Sequence, residues 1–100
     1  MYGKLVPPQE LSREGQFKVR LASVGNPDHG QDPDRPVYGV PTKTIAAKTM
    51  QEASEACQKY IAEHMLGGGN WAGGQIVEKR KQIALVSYNG RVWYPEQKDK

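Results

Sequence analysis

The sequence predicts an α+β domain in which one helix packs on a small antiparallel sheet, in the order β-β-α-β-β-β. Three observations predict it. Thr49-Met50-Gln51-Glu52 has the reciprocal capping pattern of a helix start and is followed by apolar residues at three- and four-residue spacing. Phe17, Val19 and Leu21 alternate with Lys18, Arg20 and Ala22, the two-residue period of a half-buried strand. Asn89-Gly90, with Val86 before it and Val92 after it, is the strongest short-range hairpin signal.

At 100 residues the chain is the size of one domain, able to bury a core without disulfides but too short for two. Hydrophobic residues make up only 37 %, while 11 Gly and 7 Pro are more than average, so part of the chain is loop or tail. We therefore expect a flexible N-terminal tail over 1–15, a single domain over 16–95 and a polar C-terminal tail over 96–100.

Cys57 is the only cysteine, so no intramolecular disulfide forms and a reducing compartment fits best. The first residues lack the apolar run of a signal peptide, and no stretch approaches a membrane-spanning length. A cytoplasmic protein without a membrane partner is the expectation. A net charge of +3 is compatible with an acidic partner and is weak support for nucleic acid.

The first strand begins at Gln16. After it, the segment 25–41 holds four of the seven prolines together with Asp28, Asp32 and Asp34, and reads as an exposed loop because proline removes backbone donors and disfavours helix before it. A second strand is predicted over 43–48. The helix then presents Met50, Ala53, Cys57, Tyr60, Ile61, His64 and Met65 on one stripe, with Gly67 at the left-handed position that ends it. A glycine-dense connection over 67–74 lets the chain reverse with Trp71 pinned on the sheet. Strands over 75–78, 82–88 and 91–94 complete a meander, with Lys79-Arg80-Lys81 as a charged turn.

A two-residue turn at Asn89-Gly90 would set Tyr88 opposite Arg91, Val86 opposite Trp93 and Leu85 opposite Tyr94. One face would then carry Ile83, Leu85, Ser87, Val92 and Tyr94, and the other Ala84, Val86, Tyr88, Arg91 and Trp93. A single helix covers one face of a sheet. If it covers the aliphatic face, Tyr88, Arg91 and Trp93 form an open constellation suited to gripping a partner. If Trp93 is core, the aliphatic face is the open one.

Lys79, Arg80 and Lys81 at a strand tip would contact phosphates, or simply solvate an exposed turn. Cys57 and His64 share the helix stripe, but two turns place them about 10 Å apart, too far for a nucleophile and its base. Gly69 and Gly74 have the glycine spacing of a phosphate-binding loop, yet Gln75 stands where that loop needs lysine. Asp28, His29, Asp32 and Asp34 match neither a calcium hand nor a zinc site in their spacing. We expect no catalytic residues, no metal and no cofactor.

Met50-Gln51-Glu52-Ala53, Gly68-Gly69-Asn70-Trp71 and Val86-Ser87-Tyr88-Asn89-Gly90-Arg91-Val92-Trp93 lie in a half, 44–93, that resembles small uncharacterised proteins of bacterial plasmids, prophages and phages. In size and architecture the chain is also similar to anti-CRISPR proteins and other phage-encoded inhibitors. The resemblance implies a non-enzymatic protein that occludes a surface on a larger protein or nucleoprotein complex. The alternatives are a homodimer joined through its open faces and a nucleic-acid-binding domain that uses the basic strand tip.

Overall fold

The computed structural model describes residues 2–5 and 14–95. The predicted class holds: one helix lies on an antiparallel sheet. The elements are β1 (Tyr2–Leu5), β2 (Glu14–Leu21), β3 (Lys43–Thr49), α1 (Met50–Glu63), β4 (Gln75–Glu78), β5 (Lys81–Val86) and β6 (Val92–Pro95). The sheet has six strands in the order β1-β6-β5-β4-β2-β3.

One strand is more than expected. Residues 2–5, read from sequence as tail, pair with β6 through Leu5↔Trp93 and Lys4↔Tyr94. Four residues are too few to show a period, and this strand draws its order from a neighbour ninety residues away in sequence. The rest of the predicted tails, 6–13 and 96–100, lies outside the described residues.

The helix forms where the cap predicts it. The Thr49 hydroxyl accepts the Glu52 amide at 3.0 Å, and Met50, Ala53, Cys57, Tyr60 and Ile61 are buried on the sheet. Phe17, Val19, Leu21, Ala47, Ile76, Ala84, Val86 and Val92 meet them from the strands. The terminator differs from the expected Gly67. Met65 takes the left-handed conformation (φ 51), while the Leu66 and Met65 amides donate to Ile61 O and Ala62 O. That bonding pattern closes the helix two residues early, so Met65 leaves the predicted stripe and stands 90 % exposed. The buried Leu66 holds the turn in place.

The loop between β2 and β3 is an exposed but bonded structure. The Val37 amide donates to Ser23 Oγ, Tyr60 Oη to Pro41 O, and Asn70 Nδ2 to Val24 O. Trp71 is pinned as expected, its indole N–H donating to Val86 O at 3.0 Å.

Candidate functional site: the uncovered sheet face and the cleft at its end

The two C-terminal hairpins decide which residues share a face. Lys79 (φ 52) and Arg80 (φ 66) form a two-residue loop between the partners Glu78 and Lys81. Two consecutive left-handed residues make this a type I′ turn, the geometry that suits the twist of a hairpin and that Asn-Gly adopts most easily. In the last hairpin Asn89-Gly90 does not make that turn. Gly90 alone is left-handed (φ 84). Its amide donates to Ser87 O while the Ser87 amide donates to Arg91 O, so the loop contains one residue more than a two-residue turn. Side chains of α1 hold this form, Ser54 Oγ donating to Gly90 O at 2.6 Å and Gln58 Nε2 to Tyr88 O at 2.8 Å.

The extra residue corrects the predicted register. Val86 faces Val92, and Leu85 faces Trp93. A slip of one residue moves every side chain of a strand to the other face. Val86, Ala84 and Val92 therefore lie under the helix, and Leu85 joins Trp93 on the uncovered side. Ile83 is the extra residue of a bulge in β5, between the pairs Ile76↔Ala84 and Val77↔Gln82, and it packs against the core.

Tyr88, Arg91 and Trp93 are consequently not one surface. Tyr88 sits in the turn on the helix side, its hydroxyl donating to Leu66 O at 3.0 Å. Arg91 is exposed beside that turn, and Trp93 is half-buried on the opposite face. Lys79, Arg80 and Lys81 do stay together, exposed at the β4–β5 tip.

The uncovered face gathers residues that the hairpin alone does not point to. Lys18 and Arg20 alternate with the buried Phe17, Val19 and Leu21 and so point away from α1. Lys18 is paired with Val77 on one side and Ala46 on the other. Gln75 is paired with Leu85, and Leu85 with Trp93. Partners in an antiparallel pair share a face, so Trp93 and Leu85 lie in one row with Gln75, Val77 lies two residues on in β4 beside Lys18, and Arg20 and Lys48 share the same face. Among the described strand positions of this face there is no aspartate or glutamate. The alternation of β2 already marked Lys18 and Arg20 as outward; their grouping with Leu85 and Trp93 depends on the bulge and the longer turn.

At one end the face opens into a cleft of about 940 Å³. It exists because β2 outruns β4: β2 pairs with β4 only at Lys18 and Val19 but continues along β3 to Glu14↔Thr49. The cleft is lined by Phe17, Ala46, Ala47 and Val77, and by Lys18, Lys48, Lys79, Arg80, Glu52 and Glu78. Gly15 is needed at its wall, since a Cβ there would come within 2.7 Å of the Glu78 carboxylate and 2.9 Å of the Phe17 ring.

Other chemistry-bearing groups are tied up elsewhere. Cys57 is fully buried, and burial pushes its thiol up to about 12, so it is a core thiol and not a nucleophile at neutral pH. Asp32 caps the Asp34 amide and lies 3.5 Å from Arg35. Among the described residues no group of three or more His, Cys, Asp or Glu is placed to hold a metal ion, and no helix is long and apolar enough to cross a membrane. No protein-family model, curated protein or solved structure matches the chain.

Proposed function

We propose that the protein is a non-enzymatic binding module that engages a macromolecular partner, a protein or nucleoprotein, through the sheet face that α1 leaves uncovered. One observation carries this reading: Trp93, Leu85 and Val77 share a face with Lys18, Arg20 and Lys48, and the described strand positions of that face hold no acidic side chain. An aromatic anchor among apolar and one-signed charged groups is the composition of a partner surface, and it complements an acidic one. The likeness of 44–93 to plasmid and phage proteins directs the search toward larger nucleoprotein complexes, in which such a module acts by occlusion.

The test is affinity capture from the native host with wild type, Trp93→Ala and Lys18→Glu, followed by reconstitution of the captured complex from purified components. A partner lost with either variant, while the variants keep the wild-type circular dichroism spectrum, supports the reading. Retention of the partner by both overturns it. A dimer that buries Trp93, seen by light scattering, replaces the partner surface with a self-interface. Binding to naked nucleic acid that weakens steeply with salt makes the module a nucleic-acid binder instead.

A further inference from the structure

We propose that the cleft at the Lys79-Arg80 turn receives an acidic segment of a partner protein that carries one apolar anchor side chain. This deepens the binding role proposed above and rests on it.

The cleft has the volume of a ligand pocket and the two-part lining that such pockets share, an apolar floor and a few charged groups. Ala46 and Val77 supply apolar surface at the opening, the buried Phe17 and Ala47 lie beneath them, and Lys18, Lys48, Lys79 and Arg80 form the rim. Among the described residues none of these four cations is ion-paired with a carboxylate. They are available to an incoming anion.

The turn itself is a second observation. Its geometry demands φ > 0 at both central positions, which Asn and Gly adopt at little cost and Lys and Arg do not. The chain nevertheless places two long cations there, next to the opening. Local strain of this kind concentrates at binding sites, where the side chains are retained for what they contact.

The lining also selects among anions. Glu52 stands in the same cleft. A nucleic-acid strand carries a negative charge at every nucleotide and meets that carboxylate. A peptide sets its neutral anchor beside it and its own carboxylates on the rim. Bases also need an exposed ring face to stack on, and Phe17, the only aromatic side chain of the lining among the described residues, is 1 % exposed. The acidic peptide is the better fit.

The experiment uses the full chain and fluorescein-labelled Glu/Asp octapeptides with a single central Leu, Phe or Trp. The same peptides with Ser at the anchor position, and oligothymidylate, serve as comparators. Anisotropy gives affinity, and amide chemical shifts locate the site. The anchored peptides are expected to bind, to shift the amides of Gly15, Lys18, Val77, Lys79 and Arg80, and to lose affinity about tenfold or more in Lys79→Asn/Arg80→Gly. That double variant restores the favoured turn residues, so it melts higher than wild type and its loss of binding is not a loss of fold.

The proposal is overturned if no anchored peptide binds, if the Ser-anchored peptides bind as well, if oligothymidylate takes the cleft instead, or if the double variant keeps wild-type affinity. Trp93→Ala separates the two proposals. A captured partner that is lost with Trp93→Ala but kept by the double variant overturns the cleft and leaves the open face standing. A partner lost only with the double variant assigns binding to the cleft and overturns the open face.

Discussion

The β4–β5 and β5–β6 hairpins invert what their turn residues would suggest. Lys79-Arg80 adopts the tight I′ turn with both residues left-handed, whereas Asn89-Gly90, the sequence best suited to that turn, is drawn into a longer loop with only Gly90 left-handed. The second loop is held by Ser54 and Gln58 of α1, and the first has no contact with the helix among the described hydrogen bonds. Turn chemistry thus follows local preference less than it follows what the rest of the fold needs. At one hairpin the need is to bring Val92 under the helix. At the other, two cations stand beside a cleft.

The largest effect tests the register of the longer loop. Val92 is 1 % exposed and faces Val86. Val92→Asp buries a carboxylate and is expected to cost more than about 4 kcal/mol. Trp93→Asp, on the uncovered face, is expected to cost about 1–2 kcal/mol, the worth of a cross-strand aromatic contact. Urea unfolding gives both values, and the opposite ranking would return Trp93 to the core.

Alkaline pH tests how tightly α1 closes over the covered face of the sheet. The native fold keeps the Cys57 proton until about 12, whereas in the unfolded chain the thiol ionises from about 9. Between those values the unfolded state binds fewer protons, so stability falls as pH rises, by up to about 1.4 kcal/mol per pH unit. Tyr60, also raised by burial, adds to the same slope. Denaturant midpoints measured across this window should drop less steeply for Cys57→Ala.

The turns themselves give the smaller effects. Gly90→Ala forces a side chain into φ 84 with its Cβ 3.1 Å from Gln58 Cδ, and is expected to lose about 1–2 kcal/mol. Lys79→Asn/Arg80→Gly is expected to gain about 1 kcal/mol by relieving two left-handed residues. A loss at both turns in thermal melts would mean that the two hairpins do not differ as described. Met65→Gly, at the third left-handed position without glycine, is expected to gain about 0.5–1 kcal/mol while leaving the peptide affinity of the cleft unchanged. It separates the relief of strain from the loss of charge.

Much of the fold was legible because its signals are local. Thr49 and the apolar spacing after it mark α1, the alternation over 17–21 marks β2, and the prolines mark the loop. The Lys79-Arg80-Lys81 tip was legible for the same reason, since charge clusters survive without knowledge of their neighbours. Counted from Asn89-Gly90 alone, the register puts Tyr88, Arg91 and Trp93 on one surface, and only the longer loop separates them. Glycine is the usual occupant of the left-handed position after a helix, so the sequence points to Gly67 and not to Met65.

By itself, then, the sequence determined the class of the protein, the position of its helix, the order of its strands over 16–95 and the basic tip. Each of these follows from residues within a few positions of one another. Tertiary structure decided that Val92 and not Trp93 lies beside Val86, that residues 2–5 join the sheet, and that Lys18 and Lys48 meet Lys79 and Arg80 around one cleft. Those outcomes depend on one added residue in a turn, on the bulges in β2 and β5, and on the length by which β2 exceeds β4. In a sheet with a two-residue period, a difference of a single position moves a side chain from core to solvent. That difference is set by distant contacts such as Ser54 with Gly90.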